Sequence, residues 1–141
     1  AAVIVASPGA VREHGLRPRA RILGMATAGV PPRIMGVGPI PACRKLLARL
    51  QLTFDDFDVI ELNEAFAAQV LACLRAFAVA DDSPRVNPYG GAIALGHPLG
   101  MSGVRLVQSA VQFLEKSGGK RALVTMCVGV GQGIALALER V

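Results

Sequence analysis

One segment constrains the fold more than any other, because residues 64–80 are apolar almost all round a helix. The apolar members of this segment are Ala65, Phe66, Ala67, Ala68, Val70, Leu71, Ala72, Cys73, Leu74, Ala76, Phe77 and Ala78. A helix without a polar face is normally buried on all sides. A single sheet-and-helix layer built from 141 residues has no such position. We therefore expect a second layer, supplied from outside this chain, to pack against this helix.

Strand-like and helix-like segments alternate along the chain. Strands are predicted at residues 3–6, 21–28, 57–62, 121–127 and 132–138, with helices between the first four. The last two strands are joined only by Gly129-Val130-Gly131, which is too short for a parallel crossover, so they must pair antiparallel. The pattern predicts one α/β domain over residues 1–141, with a mostly parallel five-stranded sheet, an antiparallel C-terminal strand pair and helices on both faces.

Composition excludes several classes of protein and partner. Hydrophobic residues make up 52% of the chain and charged residues 18%, which excludes a disordered segment. Aromatic residues are 4%, without Trp, and the 15 basic residues are scattered, so we expect no nucleic-acid partner. No apolar run reaches the roughly 20 residues of a membrane span, so no membrane partner is expected. Three cysteines without a C-x-x-C pair predict neither a disulfide framework nor a metal site.

Three loops carry polar groups at predicted strand ends, where open α/β sheets bind ligands. Asn63 and Glu64 are explained on spacing alone as the N-cap and first-turn acid of the following helix. His97 lies in a run with four glycines, which lets the backbone approach a ligand. Cys127 begins a Cys-x-Gly-x-Gly hairpin, whose glycines indicate either bulges or backbone amides free to bind an oxyanion.

Taken together, these motifs resemble the C-terminal half of the thiolase family. The motifs are Asn63-Glu64-Ala65-Phe66, the Gly-Gly-Ala-Ile-Ala-Leu-Gly-His-Pro run that contains His97, and Cys127-x-Gly-x-Gly. Their order and intervals match the family, as does the Met-Gly-Val-Gly-Pro run that begins at Met35. At finer grain the sequence is most similar to β-ketoadipyl-CoA thiolases. One departure is Tyr89, where the family commonly has Asn.

The resemblance implies reversible thiolytic cleavage of a 3-oxoacyl-CoA, with coenzyme A thioesters as substrates and no further cofactor. It implies that His97 deprotonates a nucleophilic thiol and helps to bind the thioester oxygen. Cys127 would be the second acid/base, a role that favours a thiol pKa near neutrality. Asn63 would hold a water in the oxyanion site shared with His97, and the Gly129 amide would serve the other oxyanion site. The acyl pocket would be lined by Phe66 and Met35.

The resemblance also implies that this chain is half of a catalytic unit. The family's nucleophilic cysteine lies in the N-terminal half, and none of Cys43, Cys73 and Cys127 matches it. The family stacks two similar halves into five layers with the middle helices buried, which agrees with the apolar segment at residues 64–80. We expect the N-terminal thiolase half as a partner in the same polypeptide. We also expect a homodimer or homotetramer and a cytoplasmic location of the bacterial type.

Two other functions remain open at the level of sequence. A non-enzymatic thiolase-like module that binds acyl-CoA or lipid is disfavoured, because Asn63, His97 and Cys127 are all present. A cysteine hydrolase with a Cys127–His97 pair is disfavoured too, because Cys127 lies in a glycine hairpin rather than at a helix N-terminus that would lower its pKa.

Overall fold

The computed structural model describes residues 1–141, which form nine regular elements and three short 3₁₀ turns. The elements are α1 (Pro8–Glu13), β1 (Ala20–Gly29), α2 (Pro39–Leu50), β2 (Val59–Leu62), α3 (Ala67–Ala76), α4 (Ala92–Leu95), α5 (Leu99–Ser117), β3 (Arg121–Val128) and β4 (Gln132–Arg140). The 3₁₀ turns are Pro32–Val37, Phe54–Asp56 and Gly129–Gly131. None of the helices combines the length and the apolar character that crossing a membrane requires.

The strands form one mixed sheet in the order β1-β4-β3-β2. The last two strands, β3 and β4, pair antiparallel as their short link predicts, and β2 pairs parallel with β3. Strand β1 pairs antiparallel with β4, with a register irregularity between Ile22 and Gly24. Helices α2 and α3 pack on one face and α5 packs on the other. The α/β class and the helices on both faces are therefore confirmed.

The prediction of five mostly parallel strands is wrong in two respects. Residues 3–6 form no strand, and Ile4 and Val5 are 88% and 75% exposed. Apolar β-branched residues favour extended backbone, but a strand also needs a hydrogen-bonded neighbour, which this segment lacks. In addition, two of the three strand pairs are antiparallel, because β4 lies between β1 and β3, which run in the same direction. A single parallel bridge from Ile60 to Val86 extends the sheet beyond β2.

The apolar segment forms a shorter helix than the predicted 64–80. Helix α3 spans Ala67–Ala76, and the residue at its N-cap is Phe66 in extended conformation, so the prediction that Asn63 caps this helix is wrong. The reason is that the Asn63 N–H still donates to the Thr125 carbonyl of β3 at 3.0 Å, which keeps this residue at the strand end. The inner side of α3 is buried, whereas Ala68 and Ala72 on its outer side are exposed. Burial of this helix on both sides stays a prediction.

An apolar groove runs beside α5 on its face of the sheet. The groove is lined by Val3, Gly103, Val104, Leu106, Val107, Val124, Thr125, Met126, Ile134 and Leu136. A helix about 10–12 Å wide covers roughly two strands spaced about 4.8 Å apart. Because α5 packs mainly on β2 and β3, the apolar face of β4 is left partly open.

Candidate active site

Asn63 and His97 meet at the carboxyl end of β2. Asn63 directly follows this strand and is fully buried. Its side-chain Nδ2 lies 3.2 Å from Nε2 of His97. Its Oδ1 is buried and makes no hydrogen bond within the chain. A buried amide oxygen left unpaired costs about 1–3 kcal/mol, so this oxygen favours a polar ligand beside the imidazole.

Ser102 holds the imidazole of His97 from the other side. Nδ1 of His97 lies 2.5 Å from the Ser102 Oγ, and this hydroxyl donates to the Pro98 carbonyl oxygen at 3.2 Å. Ser102 lies in the first turn of α5 and is fully buried, so the helix determines where the hydroxyl lies. Both ring nitrogens of His97 are therefore held by side chains from rigid elements. Nothing in the sequence pattern marks Ser102 as a residue of the site.

Asn87 and Glu64 connect the Asn63 loop to the His97 loop. The Asn87 side chain accepts from the Leu62 N–H and donates to the Leu62 carbonyl, both at 2.9 Å, so it acts as a further strand partner. Glu64 accepts from Asn87 Nδ2 at 3.1 Å and from the Ile93 N–H at 3.0 Å. Glu64 therefore joins two loops and is not a first-turn acid of α3. The Asn87-Pro88 pair, a turn signal, was the one sequence clue to this connection.

Gly91 is required by the position of Glu64. A Cβ built on Gly91 would overlap the carboxylate of Glu64. Part of the glycine density around His97 therefore reflects packing of the two loops against each other, rather than the approach of a ligand to the backbone. Tyr89 packs its ring against Phe113 of α5, with ring centroids 5.9 Å apart.

A buried ion pair ties β2 to α5 behind the site. Glu61 is fully buried, and its Oε2 lies 3.1 Å from Nη1 of Arg105. Burial raises the pKa of Glu61 to about 7, although the Arg105 charge and its hydrogen bond act in the opposite direction. Glu61 precedes Asn63 by two residues and Arg105 follows Ser102 by three. The pair therefore links the two elements that position the His97 ring.

Cys127 lies at the end of β3, next to the strand that carries Asn63. It is only 4% exposed, and burial raises the pKa of its thiol. This direction is opposite to the shift toward neutrality that the sequence analysis associates with an acid/base cysteine. Both nitrogens of His97 bind other residues, so Cys127 is not hydrogen-bonded to the ring. In this arrangement Cys127 is a neutral thiol, able to donate a proton.

The other two cysteines lie in the hydrophobic core. Both Cys43 and Cys73 are fully buried in the core between the sheet, α2 and α3. Burial raises the pKa of Cys43 to about 12 and that of Cys73 to about 11. Neither thiol is therefore a nucleophile near neutral pH. No group of three or more His, Cys, Asp or Glu side chains is arranged to hold a metal ion.

Packing within the chain explains two of the three glycines that follow Cys127. Gly131 has φ +92°, and a Cβ there would overlap the Val30 carbonyl, because the Val30 N–H donates to the Gly131 carbonyl at 2.7 Å. A Cβ on Gly133 would overlap the carbonyl of Gly38. A Cβ on Gly129 would have no neighbour within 4 Å. Packing within the chain therefore requires Gly131 and Gly133 but not Gly129.

This contrast predicts different effects of two matched substitutions. Gly131→Ala should lower the free energy of unfolding by about 1–3 kcal/mol, because a non-glycine residue is strained in this backbone region and the methyl group displaces the Val30 segment. Gly129→Ala should change it by less than about 0.5 kcal/mol. Urea unfolding followed by circular dichroism measures both. Equal losses in the two variants would show that Gly129 also has a packing role.

Met35 and Phe66, the predicted pocket residues, lie in two separate loops. Met35 is half-buried in the Pro32–Val37 turn, whose flanking segments pack on the Cys127 hairpin through Gly131 and Gly133. Phe66 is 61% exposed and lies three residues beyond Asn63. An apolar ligand at this edge of the sheet would find both side chains accessible.

Comparisons with known proteins agree on one family. The family model described as "Thiolase, C-terminal domain" matches residues 16–140. A beta-ketoadipyl-CoA thiolase of Pseudomonas aeruginosa is 73% identical over 141 residues, which are 100% of this chain and 35% of that protein. A 3-oxoadipyl-CoA/3-oxo-5,6-dehydrosuberyl-CoA thiolase of Escherichia coli is 62% identical over 141 residues, again 100% of this chain and 35% of that protein.

A solved structure gives the same result. The crystal structure of the Bacillus anthracis acetyl-CoA acetyltransferase matches with a TM-score of 0.90 and 42% sequence identity. The match covers 96% of this chain and 34% of that chain. The chain therefore spans about a third of the length of the relatives it matches.

Proposed function

This chain belongs to the thiolase family, and on that premise we propose that it is the C-terminal catalytic half of a longer thiolase. The proposed half extends over residues 1–141. Its relatives carry further residues amounting to about two thirds of their length. Because Cys43 and Cys73 are buried in the core and Cys127 is assigned the acid/base role, the nucleophilic cysteine would come from that additional part. The three polar positions of the family motifs, Asn63, His97 and Cys127, would supply the acid/base and oxyanion chemistry.

The proposed reaction is reversible thiolytic cleavage of a 3-oxoacyl-CoA to acetyl-CoA and a shortened acyl-CoA. The observation that carries this proposal is the contact between buried Asn63 and half-buried His97, with 3.2 Å between Nδ2 and Nε2 at the carboxyl end of β2. His97 would take the proton of the nucleophilic thiol and then, protonated, donate a hydrogen bond to the thioester oxygen. Asn63 would hold the water that shares this oxyanion site, through the amide group facing the ring.

We assign proton transfer to and from the carbon substrate, and the second oxyanion site, to the Cys127 hairpin. A neutral Cys127 thiol would donate a proton to the carbon leaving group in cleavage, and its thiolate would remove that proton in the reverse condensation. The Gly129 N–H would donate to the second oxyanion site. Support for Gly129 is the open space around its Cα, where packing demands no glycine. Beyond coenzyme A thioesters as substrates, we propose no cofactor.

The proposed substrate is 3-oxoadipyl-CoA, with Phe66 and Met35 lining its acyl pocket. Support comes from the names of relatives that are 73% and 62% identical over this chain, a beta-ketoadipyl-CoA thiolase and a 3-oxoadipyl-CoA thiolase. The test is a fusion in which this chain replaces the corresponding C-terminal 35% of the P. aeruginosa relative. The fusion should cleave 3-oxoadipyl-CoA with a higher kcat/KM than acetoacetyl-CoA. Cleavage of neither substrate would contradict the proposed reaction, and a preference for acetoacetyl-CoA would contradict the proposed substrate.

The proposed partner is the N-terminal half of the same polypeptide. The α5 groove is the surface best suited to it, because its lining is apolar and a second helix beside α5 would complete the cover of the sheet. This position differs from the sequence-based expectation, which assigned the buried middle layer to residues 64–80. From family membership alone we further propose a homodimer or homotetramer in the bacterial cytoplasm.

A cysteine hydrolase is not favoured by the geometry. Such an enzyme needs a histidine hydrogen-bonded to its nucleophilic thiol. Here His97 binds Asn63 and Ser102, and burial raises the pKa of Cys127 instead of lowering it. A non-enzymatic acyl-CoA or lipid-binding module is not favoured either, because such a module has no need of a histidine held at both ring nitrogens.

A further inference from the structure

We propose that Ser102 is a positioning residue that fixes the tautomer of His97, with the proton on Nδ1 and the lone pair of Nε2 facing the Asn63 amide, on the side where the substrate would bind. The proposal rests on the proposed function for its catalytic consequence, but the tautomer itself is a property of the fold. Ser102 touches no reacting atom and acts through the imidazole ring.

Ser102 has one hydroxyl proton but two hydrogen-bonding neighbours, the His97 ring and the Pro98 carbonyl. The Oγ lies 2.5 Å from His97 Nδ1 and 3.2 Å from the Pro98 carbonyl oxygen. A carbonyl oxygen accepts hydrogen bonds and never donates them. The hydroxyl proton is therefore directed to Pro98, and the Oγ lone pairs accept the proton of Nδ1. Full burial of Ser102 excludes bulk water as a competing partner.

On the opposite side of the ring the Asn63 amide faces Nε2, and its Nδ2 lies 3.2 Å away. With Nδ2 on this side, Asn63 donates to an unprotonated Nε2, which is compatible with the proton on Nδ1. The reversed network would place a proton on Nε2, turn the Asn63 Oδ1 toward the ring and direct the Ser102 proton to Nδ1. That network loses the hydrogen bond from Ser102 to Pro98 and leaves the buried Ser102 oxygen without a donor, although the Pro98 carbonyl still accepts from the Met101 and Ser102 N–H groups. Ser102 therefore favours the proton on Nδ1, and Asn63 is compatible with it.

The consequence for catalysis follows from which nitrogen faces the substrate. A neutral imidazole has only one basic nitrogen. If Nε2 carried the proton, His97 would have no lone pair toward the incoming thiol, and deprotonation of the nucleophile would have to wait for tautomerisation. Ser102 therefore makes His97 a base before any substrate binds.

The experiment uses the fusion with the P. aeruginosa relative, labelled with ¹⁵N-histidine, and compares five forms. Wild type should show a protonated Nδ1 and an unprotonated Nε2 for the His97 resonance, which is identified by its loss in His97→Ala. Ser102→Ala should shift that population toward protonated Nε2. Ser102→Thr retains the hydroxyl and should keep the wild-type tautomer. Ser109→Ala, on the same helix without a side-chain hydrogen bond to His97, is the matched control.

Kinetics provide the second readout. Ser102→Ala should slow single-turnover acylation by acetyl-CoA by about 10- to 100-fold, less than the 10²–10⁴ typical of losing a whole general base. The KM for acetyl-CoA should stay within about twofold of wild type, and Ser109→Ala should match wild type in both measurements.

Two results would overturn the proposal: a protonated Nε2 in wild type, or an unchanged tautomer and rate in Ser102→Ala. If Ser102→Ala does not fold, the wild-type spectrum and Ser102→Thr still decide the tautomer. A wild-type fusion that fails to cleave 3-oxoacyl-CoA would overturn the proposed function, while its spectrum would still decide the role of Ser102.

Discussion

The 141-residue chain alone should give no detectable thiolysis of acetoacetyl-CoA, whereas the fusion with the remaining part of the P. aeruginosa relative should be active. The physical reason is the absence of a thiolate. Burial raises the pKa of each of Cys43, Cys73 and Cys127, so no thiol of this chain is poised to carry an acyl group near neutral pH. Absorbance of the enolate at saturating coenzyme A measures the reaction. The fusion with His97→Ala controls for contaminating host thiolase.

Complementation in trans tests the same idea together with the proposed docking surface. The chain and the separately produced N-terminal part of the relative should recover activity when mixed, because the α5 groove would receive the other half. Val107→Asp, which puts a charge into the groove, should abolish recovery, since burying an unpaired carboxylate costs several kcal/mol. Gln112→Asp, on the exposed side of α5, should leave recovery intact. Thiolysis by the unmixed chain would refute the two-half arrangement.

The sequence pattern predicts correctly those elements whose ends are determined by residues inside or next to the element. Helix α2 spans Pro39–Leu50, and a proline at its start and a leucine stripe define it without tertiary help. The β3–β4 hairpin was equally predictable, since a three-residue link permits only one strand direction. The strand-end position of Asn63 and Cys127 also followed from the sequence pattern. These features depend on neighbours along the chain.

The predictions that were wrong concern features that depend on residues distant in the sequence. Helix α3 begins at Ala67 rather than at Glu64, because bonds from Asn87 and from the Ile93 N–H hold the Glu64 carboxylate outside the helix. No residue near Glu64 in the sequence indicates that its hydrogen-bond partners lie more than 20 positions away. Likewise, the apolar residues 3–6 favour extended backbone, but no strand of this chain pairs with them. The raised pKa of Cys127 also depends on burial, which a sequence motif does not report.

In the fusion, His97 and Cys127 should control different half-reactions. His97→Ala should slow acylation of the enzyme by acetyl-CoA by at least about 10²–10³-fold, the usual effect of losing one oxyanion donor, and overall condensation should fall at least as much. The reason is that Nε2 both removes the thiol proton and faces the buried Asn63 amide in the proposed oxyanion site. Trapping of radiolabelled acetyl-enzyme after rapid quench measures the acylation step directly.

Cys127→Ala should leave acylation within about tenfold of wild type while slowing condensation by roughly 10²–10⁴-fold, the range associated with one general acid or base. The difference arises because Cys127 is not hydrogen-bonded to the His97 ring and acts in the proposal only on the carbon substrate. Cys43→Ala, the same change at another buried cysteine, should leave both half-reactions intact and so controls for loss of packing. If Cys127→Ala condensed at the wild-type rate, Cys127 would be a structural thiol like Cys43. The proton for carbon–carbon cleavage would then have to come from the other half of the enzyme, and the open space around Gly129 would need a different explanation.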